Sequence, residues 1–249
     1  MHQNEEFLTA LKYMDDTMRQ DLAAGHQWKY CNKTGKKAKN FAQARAQGKY
    51  LINCVDGVQW ALDIAGIDAL SWYGGKKKIV WLTKTAEANA RRYFDIIETG
   101  GKKVKDLYDN MRLCDGDILL GFASMTHTCA YFGGSQSFDS GHAYCDGNGE
   151  GAKFKKWIGA LSCKNSKVYY IMRLKDRAHY RVQAGAYNSL VEYEKQAALV
   201  EQAGFGRPER KFEDGMYKVQ VALCDGKTNA ERIAAQVAAK EISVFVKEL

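Results

Sequence analysis

The stretch "HTCAYFGGSQSFD", residues 127–139, has the pattern of a β-hairpin. "HTCAYF" and "QSFD" are short strand-forming runs, and the glycine pair between them supplies the turn. Just upstream, "DILLGFA" (residues 117–123) follows a Gly–Asp turn and predicts a third strand. His127 opens the second strand, and Asp139 lies twelve residues later on the far side of the hairpin. An antiparallel hairpin brings such positions side by side, where a carboxylate can orient an imidazole.

An oriented imidazole calls for a nucleophile, and "NCVDGVQWALDIAGI" (residues 53–67) offers one. Val55, Val58, Leu62 and Ala65 recur at helical spacing and Gly66 is the stop, so Cys54 falls in the first turn of a helix. Unsatisfied backbone N–H groups and the positive end of the helix dipole stabilise a thiolate there. Seven cysteines occur, so a structural reading of Cys54 competes with this one; the His127–Asp139 hairpin tips the balance toward a nucleophile. The cysteines are odd in number with no CxxC pair, which suits neither a disulfide framework nor a structural zinc site. Cys114, Cys129 and Cys145 surround the same region without zinc spacing, so no metal and no cofactor is expected.

A Cys-led helix, then "GDILL", then a His-led strand with "YFGG" and a polar residue twelve on resembles the NlpC-type cysteine peptidases. That family usually reads "DCSG…GD…H(V/I)(G/A)IY(I/L)G". The resemblance runs over about residues 25–175. It implies an α+β, papain-like domain in which the helix bearing the cysteine packs on an antiparallel sheet. It also implies Cys54 as nucleophile, His127 as general base and Asp139 as the orienting group. His142, within "DSGHAYCDG", competes for the third role, and Tyr30 is the counterpart of an assisting tyrosine; both are accessory candidates. Two departures stand out. Asn53 replaces the family aspartate, and "CVDG" is one residue longer than "CSG".

The C-terminal end repeats itself. Tyr180, Val182, Gln183, Glu194, Ala197, Ala198 and Val200 recur 37 positions later as Tyr217, Val219, Gln220, Glu231, Ala234, Ala235 and Val237. Each copy predicts a strand followed by an Ala-rich helix. With short strands at "RKFEDG" and "SVFVKEL", the plan is βαββαβ: a four-stranded antiparallel sheet with two helices on one face. "YRVQAGAY" followed by a second "YKVQV" resembles the SPOR domain, a family that binds peptidoglycan glycan strands. The second copy departs from the family in reading "VQVALCDG". Alternation places Gln183 and Gln220 opposite Val182 and Val219, so these glutamines and Tyr187 are expected on an exposed, glycan-facing surface. The predicted domains are 1–176 and 177–249.

Composition narrows the function classes. No run of eighteen apolar residues is present, so no membrane insertion is expected. The first residues mix acids into an amphipathic pattern and lack a basic, then apolar, leader; synthesis in the cytoplasm without a signal peptide is the expectation. The net charge is +8, yet residues 180–249 carry ten Lys/Arg and ten Asp/Glu, so the excess lies wholly before them. A basic surface draws a protein toward polyanions, the cell wall among them. Nucleic acid is disfavoured as a partner, because the charge-neutral C-terminal region lacks the aromatic "KGFGFV" pattern of RNA-binding sheets. Together the two resemblances imply a peptidoglycan hydrolase that cleaves a stem-peptide amide. Its partners would be stem peptides and glycan strands, and it would act at the wall after release, as a phage endolysin does. The alternative is an inactive wall-binding or assembly protein, for which Asn53 is the main support.

Overall fold

Side chains alternate between two buried faces along the central strands of the N-terminal region, and that alternation explains its layering. The computed structural model describes residues 2–67, 90–120, 127–176 and 179–249. The chain divides into two compact units, Met1–Asp176 and Arg177–Leu249.

The first unit opens with α1 (Gln3–Ala23), β1 (Lys29–Tyr30), α2 (Phe41–Ala46), β2 (Leu51–Ile52) and α3 (Cys54–Ile64). It continues with β3 (Phe94–Lys103), α4 (Val104–Asp109), β4 (Ile118–Leu120), β5 (Thr128–Gly133) and β6 (Gln136–Phe138). The short strands β7 (Cys145–Asp146), β8 (Lys153–Phe154) and β9 (Ile158–Ala160) lead to the long β10 (Lys167–Leu174). Six strands form one antiparallel sheet in the order β3-β10-β4-β5-β6-β9. Ile118, Leu120 and Ala130 face a core shared with Phe7, Leu11 and Met14 of α1 and Val58 and Leu62 of α3. Leu119, Cys129 and Tyr131 face the other way, onto Val104 and Leu107 of α4. Each fully buried Leu, Ile, Val, Phe or Met among them contributes about 1.5–3 kcal/mol. Of the predicted strand "DILLGFA", Ile118–Leu120 is strand, and residues 121–123 lie outside the described residues. In the hairpin, Gly134 and Ser135 both have positive φ (53° and 62°), the backbone a two-residue turn requires.

Trp28, Phe41, Trp60 and Trp157 meet at one end of the main core, with Trp28 and Trp157 edge to face at 5.1 Å between centroids. Trp28 Nε1 donates to the buried Asp21 carboxylate at 3.0 Å, which satisfies the one polar atom that ring carries. A second, small sheet runs β2-β1-β8-β7. Its parallel β1/β2 pair sets Tyr30 against Ile52, two residues before Cys54.

The second unit consists of β11 (His179–Tyr187), α5 (Leu190–Val200), β12 (Glu209–Glu213), β13 (Met216–Asp225), α6 (Lys227–Ala238) and β14 (Phe245–Glu248). Its antiparallel sheet has the order β12-β13-β11-β14, and the two helices bury Tyr193, Ala197, Val200, Ala230 and Val237 on one face of it. The Ser189 hydroxyl caps α5 by accepting from Glu192 N at 3.2 Å. First and last strands are neighbours: Tyr180 pairs with Glu248, and Leu249 N donates to His179 O at 3.0 Å.

Candidate active site

Cys54 is the first residue of α3, and Asn53 is its cap. The Asn53 side-chain oxygen accepts from Val55 N at 3.1 Å and Asp56 N at 3.0 Å, while the Asp56 carboxylate accepts from Asn53 N at 3.0 Å. A capping residue needs a side-chain acceptor rather than a charge, and asparagine supplies one. Asp56 in turn pairs with Lys37, whose side chain is itself almost wholly buried. Burial raises the Asp56 carboxyl above its ordinary value against the pull of Lys37.

The glycine of "CVDG" has a spatial reason. Gly57, the fourth residue of α3, lies against the segment that follows β6, where a Cβ would come 2.0 Å from Ser140 Oγ. Ser140 Oγ donates to Asn53 O at 2.8 Å and ties the start of the helix to that segment. Glycine at 57 therefore allows the helix to lie close beside the strand that leads to Asp139.

Asp139 is fully buried, and His127 Nε2 lies 3.1 Å from its Oδ2. Two further donors hold the carboxylate: Gly141 N at 2.6 Å and Ser162 Oγ at 2.9 Å. Burial works against a charge on Asp139, but the His127 charge and these hydrogen bonds outweigh it and lower the group. Burial likewise opposes the imidazolium, yet Asp139 raises His127 well above its ordinary value, and hydrogen bonds with Cys163 and Cys54 add to the effect. With Nε2 engaged by Asp139, Nδ1 is the other ring nitrogen left for a second partner. Gly141 makes room for the ring: a Cβ there would lie 2.4 Å from His127 Cε1. Its φ of −101° is open to any residue, so space alone calls for glycine.

Of the two candidates, Asp139 is the one hydrogen-bonded to His127, and His142 packs elsewhere. Its ring packs on Tyr30, with centroids 4.0 Å apart and planes tilted by 45°. Tyr30 donates its hydroxyl to Asn32 Oδ1 at 3.0 Å. Burial first and the neighbouring Cys54 second raise its phenol, which marks Tyr30 as part of the same site. The other thiols are quieter. Burial pushes Cys145 up to about 12 and Cys224 up to about 11, and raises Cys129 well above the thiol range. Neutral buried thiols of this kind are poor nucleophiles.

Two groups at this site carry no mark in the sequence. Ser162 and Cys163 sit in the turn between β9 and β10, where no strand or helix period announces them. Ser162 holds Asp139 and Cys163 meets His127.

Comparisons with known proteins bear on the second unit. A family model described as the SPOR domain matches residues 176–248. That stretch is a SPOR domain. A solution structure of the peptidoglycan binding domain of the B. subtilis cell wall lytic enzyme CwlC is 28% identical; the match covers 30% of this chain and 94% of that one, with a TM-score of 0.28. No curated protein matches the chain.

Within the SPOR domain, the expected exposed face differs from the observed one. Gln183 and Gln220 are only 2% and 6% exposed. Gln183 stands at a register break in β11, and its amide turns onto its own strand, donating to Gly185 O at 3.0 Å. Gln220 donates to Glu209 Oε2 on the adjacent strand at 2.6 Å. Tyr187 packs with the helix-side core instead of the open face. Two further charged residues of these strands are equally buried and paired: Arg181 donates to Glu213 at 2.6 and 2.9 Å, and Lys218 to Asp214 at 2.7 Å. The hydrogen bond from Arg181 lowers the Glu213 carboxyl to about 2. Alternation gave the correct side of the strand, but it does not foresee bulges or ion pairs laid across a sheet.

Proposed function

We propose that the protein is a peptidoglycan hydrolase, held on glycan strands by residues 177–249 and cutting a stem-peptide amide with residues 1–176. One observation carries the catalytic half: His127 is held at 3.1 Å by the buried Asp139, and Cys54, in the first turn of a capped helix, lies near enough to help raise that imidazole. The SPOR domain at residues 176–248 supports the wall-binding half.

In this reading the Cys54 thiol gives its proton to His127, and the sulfur attacks the amide carbonyl. His127 then protonates the departing amine, leaving a thioester, and activates the water that hydrolyses it. Asp139 keeps the ring oriented and supports its charge through both steps. Val55 N and Asp56 N are occupied by Asn53, so they are not the donors that steady the oxyanion. Tyr30 and His142, their rings packed at a tilt, would form a wall beside the thiol. Synthesis in the cytoplasm followed by release to the wall, as for a phage endolysin, belongs to the same proposal.

Cys54→Ala is expected to abolish turbidity loss of purified cell walls, a drop of roughly 10³-fold or more, while leaving wall binding intact. Lysis retained in that variant overturns the mechanism. Mass spectrometry of the products of the unmodified protein identifies which amide is cut.

A further inference from the structure

His127, Asp139 and Cys163 each present a ligand atom, and those three atoms lie within 4.8 Å of one another. They come from three separate segments: the start of β5, the residue after β6, and the turn after β9. We propose that this trio is a binding site for a thiophilic divalent cation of the Zn²⁺ type, and that its occupancy switches the site off.

The donor set decides the class of ion. Imidazole nitrogen, carboxylate oxygen and thiolate sulfur together suit a borderline-soft cation, whereas Ca²⁺ and Mg²⁺ take oxygen ligands. Zinc lies about 2.0–2.3 Å from such donors, so ligand atoms of a tetrahedral site stand about 3.3–3.7 Å apart. The His127–Asp139 edge is already 3.1 Å, and closing the rest requires movement of the order of 1 Å by Cys163.

Two independent features support a built site. Asp139 has an outer shell, Gly141 N and Ser162 Oγ, which fixes its direction as second-sphere groups do around metals. Cys163 holds a left-handed backbone, φ 54°, unusual for a residue with a side chain. The Ser166 N–H closes that turn by donating to Cys163 O at 2.8 Å. The His127 side chain remains 22% exposed and Cys163 is half-buried, so an ion and one water ligand can reach the cluster from solvent.

An ion between the imidazole and the carboxylate replaces their hydrogen bond and makes the ring a poorer base for Cys54. Binding stands independently of the hydrolase reading, and only the effect on activity rests on it. The test is equilibrium dialysis of the full chain against Zn²⁺, using the unmodified protein, Cys163→Ser and Cys54→Ser. The expected result is one equivalent bound by the first and third proteins, with affinity at least roughly tenfold weaker in Cys163→Ser. Equal affinity in Cys163→Ser, or loss in Cys54→Ser alone, overturns the proposal.

Should Cys163→Ser fail to fold, Co²⁺ substitution of the unmodified protein still decides the matter. A sulfur-to-cobalt charge-transfer band that persists in Cys54→Ser is expected, and absence of the band in that variant overturns the site. Soluble muropeptide turnover with and without Zn²⁺ is measured in parallel. No turnover in zinc-free protein refutes the hydrolase reading while the dialysis result stands, so the two failures are distinguishable.

Discussion

Neither Asp139 nor His127 would keep its charge alone at its depth; each is charged because the other is there. The pair therefore has a pH signature. Asp139 is lowered from its ordinary 3.8, so its contribution to stability is present above that value and is lost as pH falls through the lower, folded one. His127 is raised from its ordinary 6.5, so its contribution is complete below that value and is lost as pH rises through the higher, folded one. Both contributions coexist between roughly pH 4 and 6.5. Asp139→Asn is expected to lose most stability relative to the unmodified protein in that window, with the difference narrowing as pH rises beyond it. Urea unfolding of both proteins across pH 4 to 9 checks this. A gap independent of pH argues against the charged pair. On activity, the same variant is expected to lower turnover by about 10³–10⁴-fold, because the ring loses the partner that sets its tautomer.

Among the elements, α1 reaches the site through one side chain. Asp15 is 3% exposed and accepts from Trp157 N at 2.6 Å and Ile158 N at 3.0 Å. Trp157 O in turn accepts from Asp139 N at 2.8 Å, so a helix far from Cys54 in sequence fixes the strand edge that carries the orienting carboxylate. Asp15→Ala strands two buried N–H groups and is expected to cost about 2–4 kcal/mol, read as a lower urea midpoint with an unchanged slope. A shift under about 0.5 kcal/mol would show that the segment finds other acceptors.

Elements of this kind were legible where they repeat. The Cys54 helix, the His127–Asp139 hairpin and both strand–helix copies follow from period and turn chemistry alone. Cys163 and Ser162 were not legible, because a turn after β9 has no period and long-range proximity leaves no local trace. The burial of Gln183 and Gln220 was not legible either, because the register break in β11 and the hydrogen bonds that take up both amides are not local signals. The acceptor role of Asn53 is local, and knowledge of capping explains it after the fact better than a family pattern does.

At the scale of the whole molecule, the proposed hydrolase would engage the wall twice on one chain, and each engagement would raise the effective concentration of the other. Removing residues 177–249 is expected to weaken sedimentation with purified walls by roughly tenfold or more, and to leave hydrolysis of soluble muropeptides within about twofold. Loss of soluble activity would mean that residues 1–176 do not work alone. The basic excess of the first 179 residues makes what wall binding remains sensitive to salt.

The adjacency of β11 and β14 has a separate consequence. Because the SPOR domain enters and leaves its sheet on neighbouring strands, with Leu249 hydrogen-bonded to His179, its ends meet at one point of its surface. A module closed in this way can be spliced into a surface loop of an unrelated host, or have its ends joined and be reopened elsewhere, without pulling its sheet apart.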